Sequence, residues 1–319
     1  MSFSYNTKVE ISEYFGNARH CNIAEIAAII NICGYISQKK EKFCIKVQSE
    51  NFLIIKKCFT LLKKTFNIDI EVLVKGSSGI KKHKVYFIYI NNSEYAEKVL
   101  FSTGILCVEG NLKILRKRIY PVVVSSICCK RAYIRGAFLA SGSISDPEKT
   151  YHLEFVNNDI KYCNELKDLI NFFNIEAKII IRKDNYVLYI KEGELIVNIL
   201  NIMGAYVALM ELENIRILKD MRNNINRIIN CETANLGKII AASLKQIKDI
   251  NYIIKYNKFS DLSDTLLEIA KLRVEFPEAS LKELGQMIVP PIGKSGVNHR
   301  LKKISFMADV LREENGDIQ

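Results

Sequence analysis

The chain has 319 residues, too many for one small domain, and a prior of roughly 150 residues per domain gives about two. A hydrophobic share of 49% and a charged share of 25% exclude a disordered, collagen-like or coiled-coil protein. Lys and Arg number 46 against 35 Asp and Glu, and a net charge of +11 suits a polyanionic partner, either nucleic acid or an acidic membrane.

The start, Met1 to Phe15, is polar and lacks the apolar run of a signal peptide. Ala24 to Cys33 reads as an apolar helix closed by Gly34. A hairpin follows, Tyr35-Ile36 with Phe43 to Val47. Phe52 to Phe66 has helical apolar spacing. Ile68 to Val74 and Val85 to Ile90 alternate as paired strands, joined by the basic, glycine-rich loop Lys75 to Lys84. A helix starts near Ser93, and Ile105 to Ser126 is a bridging segment.

The same order then returns. The helix is Ala132 to Ser141, closed by Gly142, and the hairpin is Ile144 with Tyr151 to Val156. A helix over Ile160 to Phe173, strands over Ala177 to Ile181 and Tyr186 to Ile190, and a helix from Gly193 complete it. Thr65-Phe66-Asn67-Ile68-Asp69 matches Phe172-Phe173-Asn174-Ile175-Glu176. Tyr89-Ile90 matches Tyr189-Ile190, Gly104 matches Gly204, and Gly34 matches Gly142. Each half therefore reads α-ββ-α-ββ-α, an internal duplication. Leu195 to Met210 is the most apolar stretch. It is interrupted by Asn198 and Asn201, is shorter than the roughly 20 residues of a membrane span, and reads as a buried helix.

After Glu213 the strand alternation stops. Asn214 to Asn230 reads as a basic helix carrying Arg222 and Arg227, a spacer or a DNA contact. Leu236, Ile240, Leu244 and Ile247 mark a long helix, and Asp264 caps another. Ser280-Leu281-Lys282-Glu283 is a capping box that opens a short helix, in which Gly285 permits close approach of a neighbouring helix. Val289-Pro290-Pro291-Ile292-Gly293 ends it. Ser295 caps a second helix through about Leu311, with Val297, Leu301, Ile304 and Ala308 buried.

That is a helix-turn-helix with a basic recognition helix. Lys294 and Ser295 sit at its N-terminus, where backbone amides favour phosphate. Asn298 and Arg300 have the geometry for bidentate contacts to adenine and guanine. Lys302 and Lys303 suit phosphate, and His299 lies among them. Secondary DNA contacts are expected from Lys81, Lys82 and Lys84 in the long loop. Further ones are expected from Arg116, Lys117 and Arg118 in the acid-free window Gly110 to Ser145, which also holds Lys113, Lys130, Arg131 and Arg135, and from Arg222 and Arg227.

No metal or cofactor is expected. The nine cysteines contain no CxxC, Cys128-Cys129 suits neither a zinc knuckle nor a redox pair, and His20, His83, His152 and His299 show no metal-ligand spacing. No Walker loop, GxGxxG or HExxH occurs.

The duplicated order resembles the LAGLIDADG homing endonucleases, whose two head helices pack together at a pseudo-twofold axis. The motif lays onto Ile26 to Gly34 and Ile134 to Gly142, where Ala28 and Gly136 suit a close crossing. The resemblance implies a carboxylate just before each final glycine, to hold metal ions on a phosphodiester. Here those positions are Cys33 and Ser141, neither able to replace an anionic ligand of Mg²⁺. Asp146, the nearest acid, reads as a turn residue. The expectation is a nuclease fold without an enzyme.

Longer motifs resemble the WhiA family: Tyr133 to Pro147, Asn226 to Asn235, Ser280 to Gly285 and Pro290 to Leu301. That resemblance covers nearly the whole chain. It implies an α+β fold, a duplicated LAGLIDADG-like domain (1–120 and 121–212) followed by an all-α region (213–319) with the helix-turn-helix at about 280–311. It also implies a cytoplasmic, nucleoid-associated regulator of cell division, chromosome segregation or sporulation. Its partners would be double-stranded DNA and a transcription or division protein, with no membrane. The alternative is a nucleoid scaffold of low DNA specificity acting through a protein partner.

Overall fold

Two helices buried through most of their length, one at the head of each repeat, organise the N-terminal half. In a computed structural model describing residues 2–39, 42–76, 84–110 and 112–316, these are α2 (Arg19–Cys33) and α5 (Ile127–Ser141). Residues 24–31 of α2 are all buried, as befits a helix apolar on every side. The crossing is tight: a Cβ on Gly136 would lie 2.6 Å from the Glu25 carbonyl oxygen and 3.0 Å from the Ala28 Cβ. The small residues at this crossing do what their positions in the sequence implied.

Each helix leads into an antiparallel sheet of identical topology. The first is β1 (Gly34–Lys39), β2 (Lys42–Ser49), β3 (Glu71–Gly76) and β4 (Lys84–Ile90), in the order β1-β2-β4-β3. The second is β7 (Gly142–Ile144), β8 (Leu153–Asn157), β9 (Lys178–Arg182) and β10 (Asn185–Ile190), in the order β7-β8-β10-β9. Between them lies a small hairpin, β5 (Leu106–Glu109) with β6 (Leu112–Leu115). Helices α3 (Phe52–Phe66) and α6 (Ile160–Asn171) occupy equivalent places, as do α4 (Ser93–Ser102) and α7 (Gly193–Met203).

The matching residues of the two halves have a common physical cause. Asn67 and Asn174 take left-handed φ of 51° and 58° after α3 and α6, a conformation that Asn tolerates. Gly104 and Gly204 end α4 and α7 at φ of 70° and 78°. Gly204 therefore breaks the stretch read as one buried helix. Leu195 to Met210 is shared between α7 and α8 (Tyr206–Lys255).

An N-terminal helix, α1 (Phe3–Glu13), was not anticipated from its polar sequence. Ser2 caps it, accepting from the Tyr5 amide at 3.2 Å, and Phe3, Thr7 and Ile11 form its buried stripe. Glu10 in turn caps α8, accepting from the Val207 and Ala208 amides at 2.7 and 3.0 Å.

A buried ion cluster ties α1, α2, α3 and α5 together. Glu25 of α2 lies 3.4 Å from Lys57 Nζ of α3 and 3.3 Å from Arg135 Nε of α5, all with side chains almost wholly buried. Lys57 also donates to the Ile11 and Tyr14 carbonyls, and Arg135 Nη1 donates to the Met203 carbonyl at 3.1 Å. Burial pushes the Glu25 carboxyl up and the Lys57 ammonium down, and their mutual attraction opposes both shifts.

The chain forms two compact units, residues 1–219 and 220–319, with the division inside α8. The second unit has its own core, in which Ile250, Ile253, Leu266 and Ile269 meet Leu284, Val297, Leu301 and Ile304. Its elements are the end of α8, α9 (Asp264–Glu275), α10 (Leu281–Met287) and α11 (Lys294–Glu314). Ser263, not Asp264, precedes α9 as its N-cap. Among the described residues, no helix is long and apolar enough to cross a membrane.

Candidate nucleic-acid interface

Helix α10 begins with the capping box that its sequence promises. Ser280 Oγ accepts from the Glu283 amide at 3.3 Å, and Glu283 Oε2 accepts from the Ser280 amide at 2.7 Å. These bonds favour the ionised carboxylate and hold the Glu283 carboxyl below its usual range. Its stabilisation is thus present at neutral pH and lost as pH falls through the lowered folded value. Ser280→Ala should cost about 1 kcal/mol, read as a lower midpoint in urea unfolding followed by circular dichroism.

The turn after α10 folds back on it. Ile292 donates its amide to the Gly285 carbonyl at 2.9 Å, and a Cβ on Gly285 would strike the Ile292 carbonyl oxygen. The close neighbour of Gly285 is therefore this turn first, with Val297 of α11 behind it at 3.1 Å, rather than a helix alone. Gly285→Ala should destabilise the second unit by about 1–3 kcal/mol through overpacking. Amide exchange would show it as lost protection over α10 and α11.

Helix α11 starts two residues earlier than its sequence suggests. Gly293 is the N-cap, no side chain caps the helix, and no acid lies in its first turn. Ser295 is thus inside the helix and exposed, not its cap. The first-turn amides of α11 lie beside exposed Lys294 and Ser295, the arrangement that attracts phosphate. Val297, Leu301, Ile304 and Ala308 are all buried, as their spacing required. The helical period then turns Ser295, His299, Lys302 and Phe306 to the opposite side, with Lys303 and half-buried Asn298 at its margins. Arg300 lies on the flank toward α9, half-buried, with Nη1 3.5 Å from the Thr265 carbonyl oxygen.

Two further bases join this surface. Lys238 of α8 and Lys282 of α10 line one cleft with Lys294 and Asn298, and among the described residues no acid lines it. Neither is marked out in the sequence, because the cleft joins residues of three helices that are far apart in the chain. Arg273 borders the same cleft but is a structural group. It is buried and donates to the Ala279 carbonyl at 2.8 Å, and burial pushes its guanidinium down.

The first unit corrects the reading of the acid-free window. Acids outside the window pair with its bases: Lys113 with Glu97, Arg116 with Glu109 at the window's edge, and Arg118 with Glu165 at 2.5 Å. Arg135 is buried on Glu25 and cannot reach a ligand. Lys117 donates to the Gly34 carbonyl at 2.5 Å and lies 5.7 Å from the Tyr35 ring centroid. Lys84 is exposed at the start of β4, and Arg222 and Arg227 are exposed on α8. Lys81 and Lys82 lie outside the described residues, as does His83.

The outward face of the first sheet brings Lys75 of the basic loop together with Lys46, which the sequence does not single out. Lys46 lies 4.7 Å from the Phe87 ring and 5.6 Å from the Tyr35 ring, with Lys75 5.8 Å from Phe87. The signal was the alternation of buried Phe43, Ile45 and Val47 with Cys44, Lys46 and Gln48. On the second sheet, by contrast, Glu154 accepts two bonds from Arg182, at 3.0 and 2.9 Å, neutralising that face locally.

At the ends of the head helices, Cys33 Sγ lies 3.9 Å from the Ala140 carbonyl, and Ser141 Oγ donates back to the Ala137 carbonyl at 3.2 Å. Burial pushes the Cys33 thiol up to about 11, with Lys8 and Lys117 beside it opposing the shift. Asp146 is exposed and accepts from the Glu148 amide at 3.0 Å, a turn residue as expected. The absence of metal spacing among the histidines and cysteines does not survive folding. His20 and Cys21 come to lie beside Cys128 and Cys129.

Two LAGLIDADG-like domains followed by a helix-turn-helix define a class of protein that joins a duplicated LAGLIDADG-like fold to a DNA-binding module. Family models agree domain by domain: the WhiA N-terminal LAGLIDADG-like domain over residues 19–106, the WhiA LAGLIDADG-like domain over 130–222, and the WhiA C-terminal HTH domain over 225–308. The chain belongs to the WhiA family. It is 50% identical to the probable cell division protein WhiA of Lachnoclostridium phytofermentans, over 98% of this chain and 100% of that one. Identity to its counterpart in Alkaliphilus metalliredigens is 48%, over 97% and 98%. The crystal structure of full-length WhiA from Thermatoga maritima matches with a TM-score of 0.60 at 25% identity, covering 97% of this chain and 98% of that one.

Proposed function

We propose that the chain is a sequence-specific DNA-binding regulator of transcription acting in cell division, chromosome segregation or sporulation, in the cytoplasm on the nucleoid. The observation that carries this reading is the outward side of α11. It presents Ser295, His299, Lys302 and Lys303 beside an uncapped helix N-terminus, and the adjoining cleft adds Lys238, Lys282, Lys294 and Asn298. Asn298 and Arg300 are assigned to base edges, the lysines to phosphates. Arg300 must leave the Thr265 carbonyl to do so, a weak contact at 3.5 Å. The sheet bases Lys46, Lys75 and Lys84 and the helix bases Arg222 and Arg227 are assigned to phosphate contacts outside the recognition helix. Asn298→Ala and Arg300→Ala should each relax preference at one base position by about 1–3 kcal/mol. Competition binding against single-base variants of a selected site measures this. A uniform loss across all variants would make the residue a phosphate ligand.

The nuclease activity of the fold is proposed to be lost, because Cys33 and Ser141 supply no anion for a hard divalent ion. Supercoiled DNA incubated with the chain and Mg²⁺ or Mn²⁺ should stay intact. The second reading, a scaffold acting through a protein partner, draws on the exposed apolar side chains Ile225, Ile228, Ile229, Leu236, Ile239 and Ile240 of α8. Low specificity with a steep salt dependence would favour it.

A further inference from the structure

The two head helices begin with metal-ligating residues. His20 and Cys21 lie in the first turn of α2, Cys128 and Cys129 in the first turn of α5. Their ligand atoms all lie within 4.8 Å of one another. His20 Nδ1 is 3.0 Å from Cys129 Sγ, 3.4 Å from Cys21 Sγ and 4.0 Å from Cys128 Sγ. A tetrahedral zinc ion holds sulfur at about 2.3 Å and nitrogen at about 2.0 Å, which places neighbouring ligand atoms roughly 3.5–3.8 Å apart. The cluster needs only shifts of about an ångström or less to reach that geometry.

The internal duplication positions the set. His20 and Cys128 are 108 residues apart, the same separation as Cys21 and Cys129 and as the helix-ending glycines Gly34 and Gly142. The ligands are therefore two equivalent pairs, one from each repeat. Without an ion, burial and the neighbouring thiols push the Cys21 and Cys129 thiols up, so thiolates form there only with a cation. Neither helix has a side-chain N-cap and neither has an acid in its first turn, so two positive helix ends adjoin the sulfur atoms without a compensating anion. Cys21 and Cys129 are buried, while His20 and Cys128 are exposed and leave a path for the ion.

We propose that His20, Cys21, Cys128 and Cys129 bind one zinc ion that fastens the two repeats together where their head helices begin. Three thiolates and an imidazole are a soft donor set that selects zinc over Mg²⁺ or Ca²⁺. Four protein ligands leave no open position, so the site is structural rather than catalytic. Binding releases the thiol protons, and the helix ends offset the net negative charge left on the site.

The test is a titration of the full chain, reduced and stripped of metal, with Co²⁺ followed by Zn²⁺. We expect sulfur-to-cobalt charge-transfer absorption and the visible bands of tetrahedral cobalt, saturating at one equivalent and bleached by Zn²⁺. Cys128→Ser, at an exposed position, should fold as the parent does by circular dichroism and bind roughly 100-fold more weakly. His20→Cys should keep the site and strengthen the charge-transfer band. The proposal is overturned if the reduced parent chain gives no such bands. It is equally overturned if the bands are unchanged in Cys128→Ser, which would place the metal on other cysteines of the chain.

Discussion

Glu25→Ala should lower the stability of the first unit by about 3–5 kcal/mol, the largest single-residue effect expected in this chain. The carboxylate lies between Lys57 and Arg135 with almost no exposure. Removing it leaves a guanidinium and an ammonium facing each other across a hole in the core. Neither can reach water, because Arg135 is anchored to the Met203 carbonyl and Lys57 to the carbonyls of Ile11 and Tyr14. Glu25→Gln keeps the shape and loses the charge, so it should destabilise too, by less than the alanine. The measurement is urea unfolding of the full chain with a probe in the first unit. A loss under 1 kcal/mol for Glu25→Ala would show that the cluster relaxes to solvent. Loss of Lys57 should also loosen α1, which it holds through those carbonyls. Proteolysis within the first fifteen residues would report this.

Replacing Lys302 and Lys303 together by glutamate should weaken binding to any duplex by on the order of 100-fold at low salt. Both are exposed on α11 while the stripe Val297, Leu301, Ile304 and Ala308 holds the helix in place, so the fold should be unaffected. If each lysine neutralises one phosphate, the slope of log affinity against log salt should flatten by about two. Binding at several salt concentrations separates this from unfolding, which would remove affinity at all of them. An unchanged slope would move the phosphate contacts elsewhere, with Lys46 and Lys75 on the first sheet the next pair to reverse.

The parts of this architecture governed by local rules were legible in the sequence. Helix α11 declared its buried stripe through apolar spacing, and α10 declared its start through Ser280 and Glu283. The duplication was visible because the same backbone turns recur. Asn67 and Asn174 are alike since both adopt a left-handed conformation, and Gly104 and Gly204 likewise. Gly136 betrayed the helix crossing because nothing larger fits against the Glu25 carbonyl.

What was not legible depends on residues distant in the chain. Arg118 lies in an acid-free window of the sequence, which is not acid-free in space, since Glu165, 47 residues on, comes to meet it. Arg135 counts as a surface base in the sequence and is an interior one in the fold. Helix α1 escaped notice because one of its buried positions is Thr7, which pairs its hydroxyl with the Phe3 carbonyl at 2.9 Å. The histidine and cysteines of the helix starts show no motif because the spacing that matters is that of the duplication, not of a finger. At α11, Ser295 is a good cap by residue type, yet Gly293 takes the position two residues earlier.

The central claim is that α11 reads base sequence. It is tested most directly by selecting bound duplexes from a random pool at physiological salt, using the full chain in parallel with its Asn298→Ala variant. The expected result is a sharp enriched motif for the parent chain and relaxed preference at one position of it for the variant. No enrichment by the parent, or an identical motif from both, would contradict it.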